Sequence, residues 1–172
     1  MLGDRPEASV EEIATAAGVS RQTVYAHFGS RERLLAAAVD KITSETLEAV
    51  DAAAIEDRRP RDALDRLLDA SWRTFTLHQR VLEAAGPRGA ADEARRHIPI
   101  AGRLDQIVRR GQADGSFDPA CDPRWIVDAT IALGHVAGER VQAGSWSIDE
   151  ASAALRTSIF RLLSAANEPP GL

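Results

Sequence analysis

The side chains best suited to contact nucleic acid are concentrated in one short stretch near the start of the chain. The stretch contains Arg21, Gln22, Thr23, Tyr25 and His27. Arginine and glutamine make paired hydrogen bonds to base edges, while hydroxyl groups and early-helix N–H groups bind phosphates. Val24 and Phe28, four residues apart, form the inward side of the helix that carries these side chains. Spacing alone is compatible with a DNA-reading helix and with a solvated helix of any small bundle.

Capping residues and glycines define the elements around this stretch. Ser9 and Glu12 have the spacing of a capping box, and they predict a first helix that ends at Gly18. Ser20 then predicts the N-cap of a second helix, Arg21 to Phe28. A helix, a short turn that contains glycine and a second helix make a helix-turn-helix.

The run V-E-E-I-A-x-x-A-G-V-S-R-Q-T-V-Y-x-H-F-x-S-R-E-x-L-L, residues 10–35, resembles the DNA-binding signature of the tetracycline-repressor (TetR) family. The resemblance implies a bacterial transcription regulator, by default a repressor, that binds an operator. We expect base contacts from Arg21, Gln22 and Thr23. The resemblance places on the DNA backbone Ser9, Ser20, Tyr25, His27 and Arg31.

The start of the chain departs from the family pattern. Family members carry a full amphipathic helix before the one that begins at Ser9, whereas only eight residues precede Ser9 here. Met1 to Gly3 supply at most the last turn of such a helix. The departure predicts a trimmed start or a loosened DNA-binding head.

Helical apolar spacing over the rest of the chain predicts an all-α fold. Residues 1–45 are predicted as the helix-turn-helix DNA-binding domain, and residues 46–172 as a helical ligand-binding and dimerisation domain. A long helix, 31–54, joins them. The further predicted helices are 61–79, 98–114 with Pro99 in its first turn, 122–143, and a last helix capped by Ser147 with Glu150. Residues 80–87 are broken at Gly86 and Pro87, and residues 89–97 form a polar helix or a loop.

The two C-terminal helices carry apolar stripes with two uses, burial in their own domain or pairing with a second copy. The family resemblance favours a homodimer through a four-helix bundle. The residues predicted for this dimer interface are Ile126, Leu133, Gly134, Ala137, Gly138, Ile148, Ala151, Leu155, Ile159 and Leu162.

The family also implies a small-molecule effector bound between the helices of the second domain. Apolar walls with a few polar groups are what such a site requires. The candidate lining residues are Trp72, Phe75, His78, Leu104, Ile107, Trp125, Ile131 and His135. Each aromatic or aliphatic member is equally explained as ordinary core. The effector is expected to be an apolar or aromatic molecule.

Composition and motifs exclude several other classes. The net charge of −5 argues against a generally basic nucleic-acid binder, although residues 18–34 hold three arginines and one acid, a local charge of +2. No nucleophile elbow, phosphate loop, dinucleotide glycine pattern or metal spacing is present, so neither an enzyme nor a cofactor is predicted. No apolar run is long enough for a membrane span, and a cytoplasmic location is expected. The alternative is a helical ligand-binding or interaction protein that has lost DNA binding.

Overall fold

The chain folds into seven helices over the residues that the computed structural model describes, 8–52, 56–85 and 90–164. These residues contain no strand, so the all-α class is confirmed. The helices are α1 (Val10–Ala16), α2 (Arg21–Phe28), α3 (Arg31–Ala52), α4 (Pro60–Ala85), α5 (Ala90–Ala113), α6 (Pro123–Gln142) and α7 (Ile148–Leu162). No helix in this part of the chain is long and apolar enough to cross a membrane.

The predicted caps form as the sequence indicates. Ser9 and Glu12 make a reciprocal capping box at the start of α1, and Ser147 and Glu150 make another at the start of α7. Gly18, after α1, has a φ of 68°, a left-handed conformation that costs glycine little. These local signals position the helix-turn-helix because they fix where α1 ends and α2 begins.

Two helices are longer than predicted. α4 continues to Ala85 instead of ending at residue 79, and α5 begins at Ala90 instead of residue 98. Pro99 therefore lies inside α5 and not in its first turn, which corrects the prediction. Proline lacks an N–H group and crowds the preceding turn, and it therefore disfavours the interior of a helix. The packing of α5 between α4 and α6 outweighs this local preference. The predicted first-helix remnant in residues 1–3 and the break at Gly86 and Pro87 lie outside the described residues.

The buried apolar side chains form two clusters. A small one joins α1, α2 and the start of α3, and consists of Val10, Ala14, Val24 and Leu34 with Ile13 and Phe28 half-buried beside it. The large one begins at Val50, near the end of α3, and contains buried residues of α4, α5, α6 and α7. α3 spans both clusters, and is therefore the element through which the head and the body of the molecule are connected.

Side-chain pairs also tie α3 to the body. Arg103 of α5 donates from Nε to Asp51 Oδ1 at 2.8 Å. The Nε2 atom of His78 in α4 lies 2.9 Å from Glu45 Oε2 in α3, although the ring N–H is not aligned for a hydrogen bond. Because of these contacts, a displacement of α4 or α5 would also act on α3.

Candidate nucleic-acid interface

The N-terminal end of α2 is organised by Ser20. Its Oγ accepts a hydrogen bond from the Thr23 backbone N–H at 3.0 Å and lies 2.8 Å from Thr23 Oγ1. Gly29, with a φ of 76°, ends the helix and donates from its N–H to the carbonyl of Tyr25 at 2.8 Å. Both ends of this eight-residue helix are thus fixed by the backbone and its caps.

One side of α2 is packed against the head and the opposite side faces outward. Val24 is 7% exposed and Phe28 is half-buried against α1 and α3. The outward side carries the exposed side chains of Arg21, Gln22 and Tyr25. Because α2 is anchored through its apolar side, this outward surface is presented as a rigid unit.

The remaining predicted DNA contacts surround this surface. Ser9, Ser20 and His27 are exposed, whereas Thr23 and Arg31 are half-buried. The Arg21 guanidinium carbon lies 5.4 Å from the centre of the Tyr25 ring, which holds two candidate DNA contacts side by side. We define the interface patch as the predicted set, namely Ser9, Ser20, Arg21, Gln22, Thr23, Tyr25, His27 and Arg31.

Two exposed residues close in sequence to the interface patch were not among the predicted DNA contacts. Arg33 lies exposed in the first turn of α3, and Val19, in the turn before α2, is 43% exposed. Arg33 belongs to the basic stretch 18–34, but its exposure does not follow from the residue pattern. Glu32, beside it, has a lowered pKa because it accepts hydrogen bonds from Ser30 and from its own backbone N–H. The negative charge of Glu32 therefore stands in the same short stretch as the cationic side chains of Arg21, Arg31 and Arg33.

The predicted effector site is only partly assembled. Trp72 and Phe75 stack with ring centres 5.1 Å apart, and they share one core with Leu104, Ile107 and Ile131. The other three candidates lie elsewhere. His78 faces α3, Trp125 is 65% exposed, and His135 lies on the surface against His97. The apolar spacing predicts which side of a helix is buried, but not which element packs against that side. It could therefore not tell the residues that share this core from those that lie elsewhere.

Hydrogen-bonding groups in this core are left without a protein partner. Trp72 Nε1 and Ser71 Oγ are buried and make no hydrogen bond. An unpaired buried donor costs about 1–3 kcal/mol. A surface cleft of about 520 Å³ between α4 and α7 contains none of the predicted effector residues. It is lined by Arg61, Asp62, Asp65, Arg156, Thr157, Phe160, Arg161 and Ser164.

Most of the predicted dimer residues are buried within the chain. The large core contains Ile126, Ala137, Ala151, Leu155 and Ile159, with Leu133 half-buried beside it. Gly138 is also buried, because the Phe75 ring lies where its side chain would begin, 2.9 Å from the position of a Cβ atom. Gly134 has open space around it, and Ile148 and Leu162 are exposed at the two ends of α7.

The apolar groups that α6 leaves exposed lie on its other side. Trp125 is 65% exposed and Val136 is 47% exposed. They are eleven residues apart, close to three helical turns, and therefore share one face, with Ala132 exposed between them. We call this surface the α6 outer face. Most residues of the predicted apolar stripe lie instead in the chain's own core.

The fold and this interface define an all-helical protein with an N-terminal helix-turn-helix head on a separate helical body. Residues 6–38 match the family model for bacterial regulatory proteins of the tetR family. The chain is 30% identical over 119 residues to the HTH-type transcriptional regulator NfxB of Pseudomonas aeruginosa, an alignment of 66% of this chain and 62% of NfxB. Residues 6–38 therefore match the DNA-binding segment of the TetR family, and the aligned part of the chain spans less than two thirds of the length of NfxB.

Solved structures of the family share the fold along nearly the whole chain. The fatty acid degradation regulator FadR of Bacillus halodurans superposes with a TM-score of 0.74 at 17% identity, over 98% of this chain and 91% of that one. LfrR of Mycobacterium smegmatis, crystallised in complex with proflavine, gives 0.64 at 21% identity, over 95% and 90%. The relatives are transcriptional regulators and not enzymes, in agreement with the sequence prediction.

Proposed function

We propose that the protein regulates transcription by binding a partly palindromic DNA operator as a homodimer, with α2 in the major groove. The observation that carries the proposal is the outward side of α2, where arginine, glutamine and tyrosine are exposed on a helix anchored by Val24 and Phe28. A major groove about 12 Å wide admits one such helix. Repression follows when the bound dimer blocks the promoter.

The interface patch divides into base-reading and phosphate-binding groups. Gln22 suits adenine, and Arg21 suits guanine or a phosphate, because each side chain can make two parallel hydrogen bonds. Thr23 is the third base-reading candidate. The phosphate-binding candidates are Ser9, Ser20, Tyr25, His27 and Arg31. The molecule is acidic overall, with a net charge of −5, which favours weak binding to random DNA.

A homodimer supplies the two heads that a palindromic site requires, about 34–36 Å apart for adjacent turns of the duplex. The α6 outer face is the candidate surface, because it exposes Trp125 and Val136 to solvent on one side of a long helix. Large exposed apolar side chains that share a face are typical of protein–protein contacts.

We propose that an apolar or aromatic effector binds at the Trp72–Phe75 stack and releases the DNA. The stacked rings offer an apolar wall, and Trp72 Nε1 is a buried donor for a polar atom of the effector. LfrR, with the same fold, was crystallised with the aromatic molecule proflavine. An effector acts only if it prefers one of two arrangements of the heads. The contacts of α4 and α5 with α3, at Glu45 and Asp51, provide the connection.

The test is fluorescence anisotropy with duplex DNA from the upstream region of the gene, against random duplex, at about 50 to 200 mM salt. We expect the wild-type chain to prefer the upstream duplex. Gln22→Ala should cost about 1–3 kcal/mol and relax the preference at one base pair. Tyr25→Phe should weaken binding to both duplexes alike. Arg66→Ala, an exposed arginine on α4, is the matched control and should change neither.

A negative result in this binding assay would contradict the DNA-binding proposal. If the folded dimer shows no preference for the upstream duplex, and Gln22→Ala and Tyr25→Phe bind like the wild type, the DNA-binding proposal is wrong. The chain would then be a helical ligand-binding or interaction protein.

A further inference from the structure

The surface cleft between α4 and α7 is lined mainly by charged side chains. It has a volume of about 520 Å³, and its lining includes three arginines and two aspartates. Sites for small molecules have volumes of about 300–1,000 Å³, so the cleft is large enough for one. None of its residues belongs to the interface patch or to the predicted effector site. The cleft therefore has no part in the function proposed above.

Both aspartates of the cleft already have an arginine partner. Asp65 of α4 forms an ion pair with Arg156 of α7, which joins the two helices. Asp62 Oδ2 lies 3.2 Å from the Nε atom of Arg59, a residue that precedes α4 and does not line the cleft. Because each carboxylate has its own arginine, the two aspartates do not compensate the other cations of the cleft.

Arg61 and Arg161 are those other cations. In the described part of the chain, neither side chain forms an ion pair with a carboxylate, and both are exposed. The guanidinium carbon of Arg61 lies 4.6 Å from the centre of the Phe160 ring. Stacking on a ring leaves the N–H groups at the edge of the guanidinium free to donate hydrogen bonds. The cleft therefore contains two arginines that are able to bind an anion.

Thr157 adds an uncharged hydrogen-bond donor to the cleft. A threonine hydroxyl within a helix often donates to the carbonyl four residues earlier, as Thr130 does to Ile126 at 2.7 Å. The Thr157 hydroxyl makes no hydrogen bond within the described residues. Thr157 and Arg161 are four residues apart on α7, so they lie on the same side of the helix. The hydroxyl is thus available to a molecule that Arg161 binds.

A phosphate group matches these donors better than a carboxylate does. A phosphate monoester carries a charge of about −1.5 to −2 at neutral pH and has three acceptor oxygens. Its charge balances two guanidinium groups, and its oxygens can accept from two arginines and one hydroxyl. A carboxylate carries a single negative charge, and one arginine satisfies both of its oxygens. A cleft of about 520 Å³ also has room for an organic group beside the Phe160 ring.

We propose that the cleft between α4 and α7 binds a small organic phosphate. Arg61, Arg161 and Thr157 hold the phosphate group. The Phe160 ring contacts the organic group, and the bound molecule links α4 to α7. The site is independent of the DNA-binding proposal because it involves neither the head nor the predicted effector site. Sequence spacing could not reveal it, since α5 and α6 separate the two helices in the chain.

The test is isothermal titration calorimetry on the full chain at neutral pH, in a buffer without phosphate or sulfate. The probes are phenyl phosphate, inorganic phosphate and benzoate, which separate the contribution of the phosphate group from that of the ring. We expect one phenyl phosphate per chain and weaker binding of the other two probes. Arg61→Gln and Arg161→Gln should each weaken the binding of phenyl phosphate by about tenfold or more, because each removes hydrogen bonds between charged groups. Arg66→Gln changes an exposed arginine of α4 that does not line the cleft, and should have no effect.

Circular dichroism verifies that each variant is folded, as expected for substitutions of exposed arginines. Phosphorus nuclear magnetic resonance is a second readout, because the phenyl phosphate signal should broaden with the wild type and not with the double variant of Arg61 and Arg161. Three results would overturn the proposal: no binding of phenyl phosphate, equal affinity in the wild type and the double variant, or benzoate binding as tight as that of phenyl phosphate. Equal affinity for inorganic phosphate and phenyl phosphate would overturn the assignment to an organic phosphate.

Discussion

At the scale of the residue, one glycine in α5 is required by its neighbour. The run R-G-Q-A-D-G-S-F resembles a connection common in the family. In the fold, the Phe117 ring, 2% exposed, lies directly over Gly111. A Cβ atom on Gly111 would lie 2.7 Å from Phe117 Cγ and closer still to the ring edge. The Phe117 N–H also donates to the Gly111 carbonyl at 2.9 Å, so the turn cannot easily move aside.

Gly111→Ala is therefore expected to destabilise the protein, by about 1–3 kcal/mol or more, because overpacking forces a buried ring to shift. Gly102→Ala is the matched control in the same helix. Gly102 is exposed and has nothing within 4 Å of the added Cβ, so the substitution should stabilise by up to about 1 kcal/mol. Urea unfolding followed by circular dichroism measures both. Equal effects of the two substitutions would contradict this account of Gly111.

Local residue chemistry was readable from the sequence, whereas pairings between helices were not. The cap residues Ser9, Ser20 and Ser147 bond to groups within three residues, so the spacing alone predicted them. Gly138 was expected to contact a second copy, yet it contacts Phe75 of α4. A glycine indicates a close approach but not the element that approaches.

At the scale of the element, helix ends with strong capping residues were predicted correctly, whereas ends without them were not. α1, α2 and α7 begin where their serine N-caps predict. α4 and α5 were divided too finely, because Pro99 and the polar residues before it suggested an interruption. Packing of α5 against α4 and α6 keeps the chain helical at Pro99, and this packing cannot be predicted from the local sequence.

The α7 cap yields a prediction with a pH dependence. Hydrogen bonds from the Ser147 N–H and Oγ, at 2.8 Å each, lower the pKa of Glu150 from 4.5. A carboxylate with a lowered pKa stabilises the fold above its unfolded pKa, and that stability is lost as the pH falls through the folded pKa. Ser147→Ala should cost about 1 kcal/mol near neutral pH because it removes the N-cap side chain.

The loss caused by Ser147→Ala should shrink as the pH falls through the lowered pKa of Glu150, because the protonated carboxyl no longer accepts both hydrogen bonds from Ser147. Urea midpoints at neutral and acid pH measure the difference. Thr157→Ala, an exposed position in the middle of α7, serves as the control and should show no such dependence on pH. A loss of the same size at both pH values would mean that Glu150 takes no part in the cap.

At the scale of the whole molecule, the buried side chains form one cluster in the head and one in the body, and the division at residue 45 stays a prediction. The predicted dimer face illustrates the limit of a single sequence. An apolar stripe identifies the side of α6 that is buried, but its neighbour can be another helix of the same chain or a second copy. Here Ile126 and Ala137 are already covered by their own chain. The dimer surface that we propose is therefore based on the exposed apolar side chains of α6 and not on the buried stripe.

Trp125→Glu tests this assignment of the α6 outer face. A charge at the centre of an apolar contact is costly to bury without a partner, so the variant should be monomeric at micromolar concentration. Its fold should persist, because Trp125 is 65% exposed in the single chain.

Affinity for a palindromic operator should fall steeply while the preference for its half-site remains, because each head then binds alone. Light scattering and anisotropy measure the two effects. Leu77→Glu alters another exposed apolar side chain, 73% exposed on α4, and should leave the dimer intact. Dissociation by Leu77→Glu but not by Trp125→Glu would move the interface from α6 to α4.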